Sequence, residues 1–506
     1  MKLQIPNRQS QITFLTSFFV LLTSVFSTPV LSAVEGFADG SIVAWRIHLT
    51  GTEQWKTATW MLPQCKFANR QNAGAAGADF WLFVGPNQVK INQVKLSVPQ
   101  SEQGTNTPAV GPRGSVGVDV PLSSMEQKEF VKHITPEART ATAVQAACER
   151  AIREEVRVVF LPAGEYAFNK EVRVPGGLTL LGEVAKTLIR TKDSNTRLFR
   201  VEGDSVRFTR LKLHGADTTP SQDNNTYGLS IYRKKNVRID HCELLGFSYA
   251  TSFGDEATAQ VDHCSIHHNL RDGLGYGVAI YSGAYVLVTD NEFGQNRHSL
   301  ASNGELDWGS GERLGRYLHK PGVRKTHWEF LHNRVGSNDL SPYELCTVDT
   351  HPGMDGTFVV ENNLFEEVRH AIGIRDGSGL IRGNVFRNLR GKPFRPFIAI
   401  SISYSTHNGI PVENAMPHDI EVADNTFVNV GNQVFTDNVF QSDTAPPAKA
   451  AKYVVGQAEN ITIEGQVVPG TRRDKNPPPP MPRLQEMDEN GILRWHEARP
   501  PIKSRP

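Results

Sequence analysis

The segment Val286-Leu-Val-Thr-Asp-Asn-Glu-Phe293 is one copy of a short motif that recurs through the middle of the chain. Six further copies can be written beneath it, and one column of that alignment then holds Cys242, Cys264, Asn291, Asn333, Asn363, Asn384 and Asn425. An apolar residue lies three positions before each column residue, and another lies two positions after it. The segment Val206–Leu213 fits as an earlier copy, with Leu211 in the column.

The spacing of this column indicates stacked β-coils. Successive column residues are 22, 27, 42, 30, 21 and 41 positions apart, so the shorter spacings suit one coil and the two long ones indicate inserted loops. The alternation within each copy is that of a strand, and such units bury their apolar side only by stacking on neighbours. Asparagine amides stacked at strand spacing, roughly 4.8 Å, can hydrogen-bond one another. Cys242 and Cys264 are therefore expected to be stacked and buried, and a disulfide between them is conceivable but not required.

Two motifs resemble a known superfamily. The asparagine column at a turn, and Pro162-Ala-Gly-Glu-Tyr166 after a predicted helix, are similar to the pectate-lyase-like superfamily of right-handed parallel β-helices. Val237-Arg-Ile-Asp-His241 also resembles the "WIDH" segment of true pectate lyases, with Arg238 in the place of their tryptophan. The resemblance covers about residues 135 to 440. It implies an all-β, right-handed parallel β-helix, a fold that carries lyases, hydrolases, esterases, epimerases and inert adhesins.

One departure from the pectate-lyase pattern bears on activity. Arg390-Gly-Lys-Pro-Phe-Arg395 matches the arginine-proline-arginine catalytic signature of those enzymes only loosely, because its spacing differs. A strict pectate-lyase assignment is therefore not predicted.

The rest of the chain suggests flanking elements. Strand-like runs such as Phe80-Trp-Leu-Phe-Val84 predict a small β-rich domain over residues 34–98. Residues 99–134 are rich in glycine, proline and serine and predict a linker. A capping helix is expected at Ala138–Glu154, at the start of a β-helix that spans 135–440. Residues 441–506 predict a C-terminal cap and a proline-rich tail.

The N-terminus has the features of an export signal. Lys2 and Arg8 precede an apolar stretch from about Phe14 to Val25, and Leu31-Ser-Ala33 offers a cleavage point. The stretch is shorter than the roughly 20 residues that a bilayer span needs. We therefore expect a signal peptide over residues 1–33, a secreted or periplasmic protein, and no stable membrane insertion after cleavage.

Charge and architecture limit the partners. Lysine and arginine number 54 against 53 aspartate and glutamate, so no net field attracts the chain to nucleic acid. A β-helix with capped ends can stand alone, and we expect a monomer.

The chemistry-bearing residues are predicted from their offsets in the repeat. Arg297-His298 and Arg369-His370 lie at the same offset after Asn291 and Asn363. In the coil between them, Asp349 and His351 face outward if Val348 and Thr350 face inward. The sequence thus predicts one exposed strip that joins His298, Asp349, His351, His370 and Arg375. A long insertion with Lys320, Arg313 and Arg316 would lie beside it.

Such a strip suits β-elimination from a uronate, which needs a base and positive charge beside the substrate carboxylate. His351 is the candidate base or acid, Asp349 would orient it or a metal, and His298 and Arg375 complete the predicted catalytic set. Arg375 and Arg297 would neutralise the carboxylate by bidentate contact. The predicted substrate-binding residues are Arg297, His370, Arg369 and Lys320. The partner would be a polysaccharide, expected to be acidic.

Three alternatives stay open. His298, Asp349, His351 and His370 could hold a divalent metal such as calcium, zinc or manganese, although no established ligand spacing supports this. A glycoside hydrolase would need paired carboxylates, for which Asp349, Asp355 and Asp376 are the material. A non-catalytic glycan-binding envelope protein would dispense with the strip altogether.

Overall fold

The computed structural model describes residues 110–302, 324–340, 346–351, 356–389, 397–403, 416–431, 433–435, 451–471 and 481–498, and six strands before residue 100. The chain divides into two compact units, 1–107 and 108–506. The described strands of the first unit form two antiparallel sheets. One has the strand order Lys56–Thr57, Lys2–Gln4, Lys90–Gln93. The other has the order Val43–Leu49, Ser10–Thr16, Phe80–Val84. Two of these strands lie in the region predicted as a signal peptide, which stays a prediction.

The second unit is a right-handed parallel β-helix, as predicted, and three long sheets run along it. Sheet 1 contains Val158–Leu161, Thr179–Gly182, Arg207–Thr209, Val237–Asp240, Thr258–Asp262, Tyr285–Thr289, His327–Leu331, Thr357–Glu361, Gly377–Arg382, Pro417–Ala423 and Glu459–Ile463, with Gln466–Val467 antiparallel at its edge. Sheet 2 contains Gly164–Ala167, Thr187–Arg190, Lys212–His214, Glu243–Leu245, Ser265–His267, Glu292–Gly294, Arg334–Val335, Leu364–Glu366, Val385–Arg387 and Thr426–Val428. Sheet 3 contains Val172–Val174, Arg197–Val201, Tyr227–Tyr232, Tyr249–Gly254, Tyr276–Ile280, His298–Ser302, Val348–Thr350, His370–Ile374, Ile398–Ile402, Ala451–Val455 and Gln433–Phe435.

The asparagine column forms the predicted hydrogen-bonded ladder. Asn333 Oδ1 accepts from the backbone N–H of Asn291 at 2.9 Å and from its Nδ2 at 3.0 Å. Asn363 Oδ1 does the same for Asn333 at 2.8 and 3.1 Å. Cys264 stands at the N-terminal end of the ladder and donates its backbone N–H to Asn291. Cys242 and Cys264 are buried free thiols, as expected from their place in the column.

The interior of the coils is apolar, and aromatic rings stack along it. Phe365 lies 5.1 Å from Phe386 between ring centroids, and Phe386 lies 5.2 Å from Phe427. At the N-terminal end, the helix Ala141–Arg153 is capped by Thr140 and faces the same core with Ala141, Val144, Ala147, Cys148 and Ala151.

Segments outside the predicted β-helix also belong to it. A second helix, Ser124–Glu129, places Glu126 against the buried guanidinium of Arg210. Ala451–Val455 and Glu459–Ile463 pair in parallel with strands of earlier coils, so the coils continue beyond residue 440. The hairpin Met481–Gln485 and Arg494–Ala498 covers part of sheet 1, where Leu484 and Leu493 pack against Leu287. Within the part of the chain that the structure describes, no helix has the length and apolar character to cross a bilayer.

Candidate active site

The site lies on the outer side of sheet 3, where three strands pair in register. Val348 pairs with Ile372, and both side chains are in the core. Asp349 follows Val348 in the strand and therefore faces outward, as the alternation predicts. On the neighbouring strands, Asp349 pairs with Ala301 and Gly373. His351 follows the strand and donates its backbone N–H to Ser302 at 2.7 Å.

The predicted residues converge, but the expectation of an exposed strip is wrong. Asp349 and His298 are buried, with exposed fractions of 0% and 1%, and His370 and Arg369 are buried as well. His351 and Arg375 keep 18% and 30% of their side chains exposed. The site is therefore a buried carboxylate reached past two partly exposed groups.

Asp349 is the centre of this cluster. Arg375 donates Nε to Oδ1 at 3.0 Å and Nη2 to Oδ2, which is a bidentate contact. His351 Nε2 lies 2.8 Å from Oδ2, and His298 Nε2 lies 3.8 Å from it. Burial opposes ionisation of the carboxyl, but the charge of Arg375, followed by His351, holds the pKa of Asp349 well below its usual range. Asp349 is therefore ionised at neutral pH.

This contact corrects the role predicted for Arg375. Its guanidinium fork was expected to neutralise a substrate carboxylate, and the structure directs the fork to Asp349 instead. A buried carboxylate requires a partner of opposite charge, which explains the arrangement.

His298 is held in one tautomer. Its Nδ1 lies 2.6 Å from the backbone carbonyl of Cys346, which can only accept, so Nδ1 carries the proton. Burial, followed by the charge of Arg297, lowers the pKa of His298 well below its ordinary value. The ring is therefore neutral, with the Nε2 lone pair on the side of Asp349.

His351 is the more accessible imidazole. Burial lowers its pKa, and the charge of Asp349 partly opposes that shift. Its Nε2 is within hydrogen-bond distance of Asp349 Oδ2 but makes no aligned hydrogen bond. Hydrogen bonds between catalytic groups are often poorly aligned in unliganded sites.

The predicted substrate-binding residues separate into two groups. The Arg297 guanidinium lies 5.7 Å from the Tyr276 ring centroid and donates Nη1 to the Leu274 carbonyl, so it remains beside the cluster. Arg369 instead donates Nη2 to the carbonyl of Asp339 at 3.0 Å and its backbone N–H to Asn338 Oδ1. Lys320, Arg313, Arg316 and Asp355 lie outside the described residues.

His370 is close to the cluster but turned to other partners. Its Nε2 lies 2.8 Å from Ser401 Oγ and 3.1 Å from the Ile372 carbonyl. Burial lowers the pKa of His370 to about 4. The residue is thus a neutral, buried imidazole.

Two members of the site were missed in the sequence. The Tyr276 ring lies 5.4 Å from the His298 ring and 6.0 Å from the His351 ring, and burial raises the pKa of its phenol. Tyr227, Tyr249 and Tyr276 recur at 22 and 27 residues, the same spacing as Cys242, Cys264 and Asn291, and this signal could have revealed Tyr276.

Cys346 is the second missed member. A Cβ on Gly373 would come within 2.6 Å of its Sγ, so glycine at that position makes room for the thiol. Burial raises the thiol pKa well above its ordinary value, which keeps the sulfur protonated and poorly nucleophilic.

Three of the four predicted metal ligands form a compact group. One ligand atom from each of His298, Asp349 and His351 lies within 4.8 Å of the others. The backbone contact of His298 Nδ1 is the outer-shell contact that metal-binding histidines usually make. His370 is not in this group, and Arg375 already neutralises the carboxylate. The three residues fit a divalent ion by ligand type, but a cation there would be repelled by Arg375.

The comparisons with known proteins concern the fold. A family model described as "Right handed beta helix region" matches residues 199–319. No curated protein gives a significant sequence match.

Several solved structures are similar at low identity. An alginate lyase from Paenibacillus sp. str. FPU-7 is 14% identical, with 65% of this chain and 99% of that chain covered and a TM-score of 0.34. The catalytic unit of a GH87 α-1,3-glucanase from Streptomyces thermodiastaticus strain HF3-3 is 13% identical, with 94% and 85% covered and a TM-score of 0.34. The A-module of a mannuronan C-5 epimerase from Azotobacter vinelandii is 12% identical, with 66% and 95% covered and a TM-score of 0.25.

Proposed function

We propose that this protein is an exported enzyme that cleaves a uronic-acid-containing polysaccharide by β-elimination. The observation that carries the proposal is the Asp349 carboxylate, which is buried, ionised and in contact with both His351 and Arg375. A buried carboxylate that contacts a partly exposed imidazole can orient the ring and stabilise its protonated form, which is what a general base requires.

His351 is the proposed base. A histidine with a lowered pKa is neutral at neutral pH and can accept a proton. In β-elimination, that proton comes from the carbon beside the uronate carboxylate. The freed electron pair forms a carbon–carbon double bond as the glycosidic carbon–oxygen bond breaks, and the leaving oxygen takes up a proton. The charge of Asp349 would stabilise the imidazolium that forms on His351.

Tyr276 is the proposed donor of the proton to the leaving oxygen. Its ring lies beside both His298 and His351, and its raised pKa keeps the phenol protonated at neutral pH. Arg297, whose guanidinium lies against that ring, is the proposed partner of the substrate carboxylate, because the fork of Arg375 is occupied by Asp349. Positive charge next to the carboxylate stabilises the enolate-like intermediate.

A glycoside hydrolase is less well supported. Such enzymes need two carboxyl groups, one of which must be protonated to act as an acid. Asp349 has a strongly lowered pKa and both of its oxygens are engaged, so it cannot be that acid. Asp376 is buried and accepts from the backbone of Gly377 at 2.8 Å.

A metal-assisted elimination is the second candidate, because His298, Asp349 and His351 form a compact set of ligand atoms. A bound zinc or manganese ion would supply the positive charge that neutralises the substrate carboxylate. Arg375 would then have to turn away from Asp349. Chelation separates the two candidates, since only the second loses activity with EDTA.

The test of the proposed function is the appearance of unsaturated uronates. Purified protein is mixed with alginate, polygalacturonate and hyaluronate, and ultraviolet absorbance is followed together with reducing ends. Both signals rise if the chain is a lyase. Reducing ends without absorbance would indicate a hydrolase, and neither signal would favour a glycan-binding protein.

A further inference from the structure

We propose that a column of tyrosines on sheet 3, flanked by arginines, extends the candidate active site toward the N-terminal coils and holds an anionic polysaccharide chain. The tyrosine column is Tyr227, Tyr249 and Tyr276. This inference rests on the proposed function, and it assigns the surface that would give the enzyme its substrate class.

The tyrosine column is continuous with the active site. Arg197, Tyr227, Tyr249, Tyr276 and His298 begin five successive strands of sheet 3, and each pairs in register with the next. Four coil steps separate Arg197 from His298, a distance of about 19 Å at the spacing of neighbouring strands. This length accommodates several sugar units.

The column lies on the same side of sheet 3 as Asp349. Tyr276 packs with Ala279 and Ala301, which are separate from the main core, and Tyr249 borders this small cluster. Ala301 pairs with Asp349 in register. Tyr276 is buried, whereas Tyr227 and Tyr249 are each partly exposed, so the column offers accessible aromatic surface on the strands N-terminal to the active site.

The rings hold one another in place. Tyr227 and Tyr249 stack with their centroids 4.7 Å apart and their planes 13° apart, and Tyr249 meets Tyr276 edge to face at 5.2 Å. Rings fixed in this way lose little conformational freedom when a ligand binds. They combine an apolar body with a hydroxyl, which suits the apolar faces and hydroxyl groups of sugars.

The arginines supply the charge. Arg197 lies 5.1 Å over the Tyr227 ring, and Arg297 lies 5.7 Å from the Tyr276 ring. Arg271 donates Nη2 to Asn225, two residues before Tyr227. Within the described parts of the chain, the Nε of each of these three arginines is buried and has no acceptor.

Acidic groups only partly offset these charges. Glu171 pairs with Arg197 at 2.8 Å, and the Asp272 carboxylate accepts from Gln222 beside Arg271. Arginine binds carboxylates through several donors at once, so acidic groups spaced along a chain fit this surface better than a neutral glycan does. The ligand class is therefore a polyuronate.

The test uses residues far from the reacting groups. Tyr227→Ala and Arg197→Ala are made in a His351→Gln background, so that binding is measured without turnover. The control is Arg190→Ala, since Arg190 has a similar exposed fraction, 34% against 33%, and a similar ion pair, but lies on sheet 2. Binding to alginate and polygalacturonate is measured by affinity electrophoresis, and binding to their disaccharides by calorimetry. Thermal midpoints confirm that each variant is folded.

We expect the dissociation constant for the polymer to rise about fivefold or more in both Tyr227→Ala and Arg197→Ala, since each variant loses a cation–π or stacking contact. Arg190→Ala and the affinity for disaccharides should not change. Equal polymer affinity in all three variants overturns the inference, even if wild type is a lyase. Binding that depends on the column without any turnover in wild type supports the inference and overturns the proposed function. A wild-type protein that binds no polyuronate overturns both.

Discussion

Asp349 Oδ2 lies 2.8 Å from His351 Nε2, and the two residues are separated in the chain by Thr350 alone. The alternation of a strand places both on one side of sheet 3, while Thr350 turns inward and its hydroxyl bonds the backbone of Asp376. Asp349 thus supplies the carboxylate and His351 the imidazole, while Thr350 between them fixes the strand to the next coil. Arg375, which comes from the next coil, is the main group that stabilises this anion in the interior.

The first prediction concerns the ion pair of Asp349 and Arg375. Arg375→Met leaves the carboxylate buried without its cation, which costs about 3–5 kcal/mol. Arg387→Met breaks a more exposed pair with Glu366 and should cost about 1 kcal/mol or less. Urea unfolding at neutral pH measures both. A loss for Arg375→Met no larger than that for Arg387→Met would show that Asp349 does not depend on this contact.

The second prediction concerns the asparagine ladder. Asn333→Ala removes the acceptor of two Asn291 donors and two donated hydrogen bonds of its own, so a loss of about 3 kcal/mol in the free energy of unfolding is expected. Asn195→Ala, at an exposed turn, should change stability by less than about 0.5 kcal/mol. Indistinguishable unfolding midpoints for the two variants would contradict a stabilising ladder.

The third prediction concerns pH. His370 has a pKa of about 4 in the fold against an ordinary 6.5, so below pH 6.5 the unfolded chain binds a proton that the folded chain does not. Stability contributed by this residue therefore falls as pH decreases through that window, by about 2 kcal/mol between pH 7 and pH 5. The free energy of unfolding of His370→Gln should therefore decrease less than that of wild type between pH 7 and pH 5.

Unfolding midpoints at pH 5, 7 and 8 measure this difference. Between pH 7 and pH 8, wild type and His370→Gln should change in parallel, because the imidazole is neutral in both states. Parallel curves down to pH 5 would mean that His370 is not buried as a neutral group.

The fourth prediction concerns Gly373 and Cys346. Gly373→Ala places a Cβ 2.6 Å from the Sγ of Cys346, which should destabilise the protein by about 1–3 kcal/mol and lower activity through the His298 contact. Adding Cys346→Ala removes the contact with Sγ and leaves the milder one with the Cβ of residue 346 at 3.0 Å, so it should restore part of the loss. Additive effects of the two substitutions would rule out the proposed packing.

Much of the fold could be predicted because it repeats. The column from Cys242 to Asn425 reports the coil length directly, and its amides pair as their spacing implies. The outward orientation of Asp349 could be predicted because side chains alternate along a strand and the neighbouring Val348 faces the core. These features depend on local sequence, which a repeat displays several times.

The site was only partly predictable, because its contacts depend on how the coils align. Arg375 was placed on the correct side, but its bond to Asp349 depends on the burial of that carboxylate, which alternation does not report. Arg369 lies at the same offset as Arg297, yet it turns to the carbonyl of Asp339. Tyr276 belongs to a second column with the same spacing, but that column has only three members, Tyr227, Tyr249 and Tyr276, against seven from Cys242 to Asn425.

The most direct test of the central claim is the rate at which unsaturated uronates appear when purified protein acts on a polyuronate, for wild type, His351→Gln and Arg387→Met. We predict that wild type and Arg387→Met form unsaturated uronates at similar rates. The rate for His351→Gln should be lower than that of wild type by at least about 100-fold, since a positioned general base contributes that much or more. The thermal midpoint of His351→Gln should stay near that of wild type. An undiminished rate in folded His351→Gln would contradict the account.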